Sequence, residues 1–308
     1  MAGLQAQYAP AMYVGLWTRM AALDRAHLTG LLEQRAVVQG TLLRSTIHLV
    51  SRADYWPFAL AIRSARRQWY LRVSRGVDVN ELDAAADRVR GALADGPLRR
   101  AELDALVDPQ LRNGIGLWID LVRVPPSGTW ERRRADLYGL AEDWIGLPTV
   151  DPERGLDVLV RRYLGGFGPA TRQEIATWAG LPAGTVTPVL DRLRLRRFEA
   201  EDGAELLDLP GAPLPDPGTP APVRYLPVWD ATLLVHARRT GILPEEYRPA
   251  IFTSKNPQSL NTFLVDGSVA GAWWYDKGAI RREEFHPLDA ATRRELDAEA
   301  DRLVELYG

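Results

Sequence analysis

Residues 165–193 read GGFGPATRQEIATWAGLPAGTVTPVLDRL, and this stretch decides the fold. Thr171 stands just before a helical run with Glu174 three residues on, the spacing at which a hydroxyl and a carboxylate exchange hydrogen bonds with the orphan amides of a helix start. Arg172–Ala179 is therefore predicted as a helix that Gly180 ends, and Ala183–Leu193 as a second helix after a short turn. Phe198–Leu209, interrupted by Glu201–Asp202–Gly203, reads as a β-hairpin. Helix, helix and hairpin in that order outline a winged helix-turn-helix. Upstream, Asp151 opens a helix running to Leu164.

The same theme recurs twice on the N-terminal side. Ala11–Ala22 has helical apolar spacing, Asp24 caps a helix to about Glu33, and Ala36–Leu42 and Ser45–Val50 are β-prone, with Gly40 and Arg44 around the expected bend. A long amphipathic helix follows over Ala53–Val73, with Trp56, Phe58, Leu60, Trp69 and Leu71 as core candidates. Asp78 then precedes a helix to about Leu93, which Ala94–Asp95–Gly96–Pro97 ends. Arg99–Val107 is a short helix, Gly116–Leu121 leads into a strand, and Pro125–Pro126–Ser127–Gly128 turns the chain within Val122–Arg134. Asp136–Ile145 is expected to be helical.

Beyond the proline- and glycine-rich Gly211–Val223, the segments Tyr225–Val228, Leu260–Val265 and Val269–Tyr275 are strand-like, Asp266–Gly267 marks a hairpin, and Ala290–Tyr307 is an amphipathic helix. Trp273 and Trp274 fall on opposite faces of a strand, one for the core and one free to stack on a base. The expected class is α+β, mainly α: tandem winged helix-turn-helix units over 1–75, 76–150 and 151–210, then a linker and β-rich module with a closing helix over 211–308.

Composition narrows the chemistry. No cysteine is present, which excludes disulfides, thiolate metal sites and cysteine nucleophiles. His27, His48, His236 and His286 are scattered without metal-ligand spacing, so no metal is expected. Gly165-Gly166-Phe167-Gly168 lacks the Lys-Ser/Thr of a phosphate loop, and no cofactor is implied. The net charge of -2 argues against coating nucleic acid by bulk charge but leaves room for a local basic patch. Lys255 and Lys277 are the only lysines, so the cationic side chains are almost all arginine. No apolar run spans a bilayer and no secretory leader is recognisable, so a cytoplasmic, nucleoid-associated protein is expected.

Five separated runs carry a resemblance to a known family. They are GLQAQYAPAMYVGLWTR (3–19), LLRSTIHLVSRADYW (42–56), VRRYLGGFGPATRQEIATWAGL (160–181), VRYLPVWDATLLVHARR (223–239) and LVDGSVAGAWW (264–274). In this order they resemble the landmarks of the winged-helix DNA glycosylases of the AlkZ and YcaQ type. The resemblance implies a monomeric, monofunctional glycosylase that surrounds double-stranded DNA and hydrolyses the N-glycosidic bond of alkylated bases, some members unhooking interstrand cross-links. It places the catalytic pair on a Gln-apolar-Gln motif, here Gln5-Ala6-Gln7, in the double-glutamine form of the AlkZ branch.

Arg44, Thr46 and His48 on the first wing, with His236 and Arg239, are the implied DNA contacts. Family members ordinarily carry a few dozen residues ahead of the motif, so the first unit is expected to be short at its N-terminal end and its site weakly supported. Glutamine does not take up a proton at neutral pH, but its carboxamide both donates to and accepts from a water. Residues two apart share a side only where the backbone is extended or turning, so the pair is expected outside a regular helix. The competing reading from the fold alone is a non-catalytic winged-helix DNA-binding protein such as a transcription regulator.

Overall fold

The computed structural model describes residues 2–236, 240–252 and 260–308. By packing, the chain divides into two compact units, Met1–Ala9 with Thr29–Ala212, and Pro10–Leu28 with Pro213–Gly308.

In chain order the elements begin with β1 (Leu4–Gln5), α1 (Ala9–Trp17), α2 (Arg25–Glu33), β2 (Val37–Thr41), β3 (Ile47–Ser51) and α3 (Arg52–Val73). There follow α4 (Val79–Leu93), β4 (Leu98–Arg99), α5 (Arg100–Ala105), α6 (Arg112–Trp118), β5 (Leu121–Arg123), β6 (Leu137–Leu140) and α7 (Ala141–Ile145). The first unit closes with α8 (Pro152–Phe167), α9 (Arg172–Ala179), α10 (Ala183–Arg192), β7 (Arg196–Glu199) and β8 (Glu205–Asp208).

Side-chain caps set the main helix starts. Ser51, Asp78 and Asp151 each accept a backbone N–H of the first turn of α3, α4 and α8, and Thr171 with Glu174 forms the expected reciprocal box on α9. Gly180 ends α9 at φ 74°, a left-handed conformation that costs glycine nothing and most residues a good deal. Helix α10 and the β7–β8 hairpin complete the helix–helix–hairpin order read from residues 165–209.

The two expected N-terminal wings share one antiparallel sheet, in the order β1-β3-β2-β5-β6-β4. Pairing of Gln39 with Arg123 and Gly40 with Val122 joins them, so residue 75 is not a packing boundary. Each hairpin thereby covers the other's free edge. This pairing also explains a misread segment. Leu137–Leu140, expected to be helical, is strand β6 against β5, and only Ala141–Ile145 is helix. Gly40, expected at a bend, is mid-strand: a Cβ there would stand 2.6 Å from Tyr55 Cε2, so the glycine lets α3 lie close on the sheet. The bend is at Arg44 and Ser45, both at positive φ.

Helix α3 buries Trp56, Phe58 and Leu60 as expected, whereas Trp69 is exposed. It crosses α8 where Gly155 meets the Pro57 carbonyl, and Phe58, Tyr163, Phe167 and Trp178 form an aromatic cluster around the crossing.

Besides α1, the second unit carries β9 (Arg224–Leu226), α11 (Ala231–Leu234), α12 (Arg248–Ile251), β10 (Thr262–Val265), β11 (Ser268–Asp276), β12 (Ala279–Glu284) and α13 (Ala290–Tyr307). Its antiparallel sheet runs β12-β11-β10-β9. Asp266–Gly267 and Lys277–Gly278 both adopt positive φ in two-residue turns, the conformation that matches strand twist. Alternation on β11 buries Trp273, whose Nε1 donates to Leu226 O, and exposes Trp274. Asp230 caps α11 and receives both guanidinium nitrogens of Arg19, at 2.8 and 2.6 Å. Among the described residues no helix is long and apolar enough to cross a membrane.

Candidate active site

The Gln-Ala-Gln motif lies on β1 and the bend after it. Leu4 pairs with Leu49 and Gln5 with His48 on β3, and the Ala6 N–H donates to Ile47 O at 2.8 Å. The backbone is thus extended at Gln5 and bends at Gln7 and Tyr8 before α1 begins at Ala9, so the pair lies outside a regular helix. Strand alternation sends Leu4 inward beside its partner Leu49 and turns Gln5 to the opposite face. The bend then brings the second glutamine back: Gln5 Nε2 donates to Gln7 Oε1 at 2.6 Å. Gln5 Oε1 and Gln7 Nε2 make no other hydrogen bond among the described residues. An acceptor and a donor side by side match the two kinds of hydrogen bond a water makes.

The motif is tied down on both sides of Ala6. Besides the Ala6 N–H bond, the Ala6 carbonyl accepts from Arg123 Nη1 at 2.7 Å, and Ala6 itself is fully buried. The same nitrogen lies 3.4 Å from Gln39 Oε1, and Gln39 Nε2 donates to Gly128 O at 3.0 Å. Arg123 is a residue the sequence reading did not single out. It lies on β5, 117 positions from Ala6, and no local pattern links the two.

His48 stands directly opposite Gln5, on the same face of the sheet. It is 2% exposed, and its acidity is set by that burial: loss of solvent, with the Arg44 charge as a second cause, lowers its pKa to about 3 against a weaker opposing effect of the Thr46 carbonyl. The ring is neutral at physiological pH. Its Nδ1 lies 3.1 Å from Thr46 O, which only accepts, so the proton sits on Nδ1 and Nε2 is an acceptor. A cationic clamp on phosphate needs charge and exposure, and His48 has neither. Its place is beside Gln5.

Thr46 Oγ1 donates to Leu43 O, tightening the turn between β2 and β3. Arg44, half-buried at the apex, donates from Nη1 to Trp178 O at 2.5 Å and so ties the turn to the end of α9. Gly180 permits that approach, since a Cβ there would stand 3.1 Å from the Arg44 nitrogen. The structure thus gathers Gln5, Gln7, His48 and Thr46 at one end of the β1–β3 pair, while the Arg44 guanidinium points to α9. His236, half-buried, follows α11 in the second unit, and Arg239 lies outside the described residues.

Residues 1–306 match the family described as DNA glycosylase AlkZ-like. The chain belongs to the AlkZ-like DNA glycosylase family. It is 24% identical over 311 residues to the interstrand DNA cross-link repair glycosylase of Streptomyces sahachiroi, a match covering 89% of this chain and 80% of that protein. The solved structure of the Streptomyces sahachiroi DNA glycosylase AlkZ has the same fold, with a TM-score of 0.80 at 19% identity over 99% of this chain and 89% of that one. Membership makes this AlkZ-like protein a DNA glycosylase, an enzyme rather than a regulator built on the same helices.

Proposed function

We propose that this AlkZ-like glycosylase hydrolyses the N-glycosidic bond of purines alkylated at N7 or N3, including those tied into an interstrand cross-link, and that Gln5 and Gln7 hold the attacking water. The observation that carries this is the carboxamide pair itself, joined at 2.6 Å on a backbone fixed to β3, with Gln5 Oε1 and Gln7 Nε2 left to accept from and donate to a water. A glutamine does not act as a strong base, which restricts the substrate. The leaving group has to be activated beforehand, and alkylation at N7 or N3 does so by placing positive charge on the purine. As the bond breaks, the sugar becomes oxocarbenium-like. The C1′–N bond breaks with its electron pair going to the cationic purine, which leaves neutral. The water donates a hydrogen bond to Gln5 Oε1, accepts one from Gln7 Nε2, bonds to C1′ through its second lone pair, and releases its extra proton to solvent. The enzyme's contribution is then orientation and electrostatics rather than proton removal.

The name of the Streptomyces relative, an interstrand cross-link repair glycosylase, supports extending the substrate to cross-linked duplexes. Arg44 and Thr46 in the first unit, His236 in the second, and Arg239, which lies outside the described residues, are each proposed as DNA contacts, with His48 a neutral neighbour of Gln5. The enzyme is proposed to act as a monomer on double-stranded DNA in the cytoplasm, at the nucleoid. The test is release of base from duplexes carrying N7-methylguanine, N3-methyladenine or a defined interstrand cross-link, read as alkali-labile abasic sites. Release from the cationic lesions, with no release from a duplex containing uracil, is expected. Tight binding to every duplex without release supports the rival reading, a non-catalytic DNA-binding protein.

A further inference from the structure

We infer that Arg123 is the positioning residue of the glutamine pair, with Gln39 completing the brace. The inference rests on the reading of Gln5 and Gln7 as the catalytic pair. Arg123 is 8% exposed, and among the described residues it forms no ion pair. Its Nη1 donates to Ala6 O and lies 3.4 Å from Gln39 Oε1, the neutral Tyr138 side chain is beside it, and its Nε is buried with no partner. A guanidinium stripped of solvent without a carboxylate costs free energy that a methionine or leucine at the same place does not. Desolvation accordingly lowers its pKa, with Tyr138 opposing the shift.

The geometry shows what the cation does there. The peptide between Gln5 and Ala6 is fixed by the Ala6 N–H bond to Ile47 O, and the peptide between Ala6 and Gln7 by the Arg123 bond to Ala6 O. Together these fix the backbone torsion that sets the second glutamine against the first. Without Arg123 the Ala6–Gln7 peptide is free to rotate, and the 2.6 Å contact of the carboxamides goes with it.

Gln39, 1% exposed on β2, accepts from the same guanidinium nitrogen at 3.4 Å, and its Nε2 donates to the Gly128 carbonyl at 3.0 Å. Gly128 has φ 75°, and a Cβ there would stand 3.3 Å from Gln39 Oε1 and 3.5 Å from Arg123 Cδ. The loop between β5 and β6 is therefore shaped around the brace.

The experiment compares the full-length wild type with Arg123→Met, Arg123→Lys and Gln39→Leu, each alone and combined with Gln5→Ala/Gln7→Ala. Single-turnover release from an N7-methylguanine duplex, the Kd for that duplex and the thermal midpoint are measured together. Arg123→Met is expected to slow release about tenfold or more with Kd unchanged, because angstrom-scale misplacement of a reacting group costs on this scale. Arg123→Lys keeps one donor for Ala6 O and is expected to recover part of the rate. In the Gln5→Ala/Gln7→Ala background Arg123→Met is expected to have no further effect.

An unchanged rate in Arg123→Met, or an equal loss in the background lacking both glutamines, overturns the inference while leaving the glycosylase reading intact. If Arg123→Met does not fold, Gln39→Leu decides by the same criteria. If the wild type releases no base, the catalytic reading fails by itself, and hydrogen exchange at Ala6 and Gln7 decides the brace. Faster exchange in Arg123→Met, or in Gln39→Leu if that variant does not fold, supports it, and unchanged exchange overturns it.

Discussion

Replacing His48 by asparagine should flatten the acid side of the protein's stability profile. In the folded state burial holds the imidazole neutral down to about pH 3, whereas in the unfolded chain it titrates at 6.5. Between those values the unfolded chain binds one proton more than the folded one, so stability rises with pH across the window. The contribution is complete above 6.5 and is lost progressively as pH falls toward 3. The slope is about 1.4 kcal/mol per pH unit, so a fall from about pH 7.5 to about pH 5.0 removes about 2 kcal/mol through this residue. For a unit of roughly 190 residues this is a drop of about 4–8 °C in thermal midpoint.

Asparagine suits the comparison because its Nδ2 donates to Thr46 O as His48 Nδ1 does, yet does not titrate. Thermal unfolding followed by tryptophan fluorescence at both pH values, for wild type and His48→Asn, is the assay. Carboxylates common to both proteins cancel in the difference. The same pH dependence in the two proteins would refute the argument that this ring is buried neutral beside Gln5.

Gly40→Ala puts a methyl against the fully buried Tyr55 ring, and the overpacking is expected to cost about 1–3 kcal/mol in the unfolding of the first unit. Asp230→Ala leaves the Arg19 guanidinium facing a buried gap and removes the α11 cap; a loss of about 3 kcal/mol is expected by denaturant unfolding, with Asp230→Asn losing less because it keeps the cap. Because neither glutamine titrates, single-turnover release of a permanently cationic lesion is expected to be flat from about pH 7 to about pH 9, and a sigmoidal rise across that range would point to a base among the residues at the site.

Local signals in the sequence foretold local structure well. Thr171, Glu174 and Gly180 bound α9 as their side-chain chemistry requires, and Asp266–Gly267 makes the hairpin expected of it. The backbone at Gln5 and Gln7 was legible too, because the chemistry of a carboxamide pair demanded an extended or turning chain. What stayed hidden depends on partners distant in sequence. Strand β1 is two residues long and exists only because β3 pairs with it, so no periodicity announces it. Residues 137–140 read as helix because the β5 edge they complete is not written in their own pattern. Gly40 signals a bend or a close approach equally well, and only Tyr55 decides between them. Trp69 sits at core-like helical spacing, yet the face it occupies is left open. Arg123 is one arginine among dozens until the fold carries it to Ala6.

The central claim, that Gln5 and Gln7 hold the water that cleaves the glycosidic bond, is tested most directly by single-turnover release of N7-methylguanine from duplex DNA by the wild type, Gln5→Ala, Gln7→Ala and the double variant. Each single variant is expected to lose about 10²-fold or more in rate with DNA affinity retained, and the double variant to lose little beyond either single one, because the two carboxamides act on one water. Wild-type rates in both single variants would contradict it.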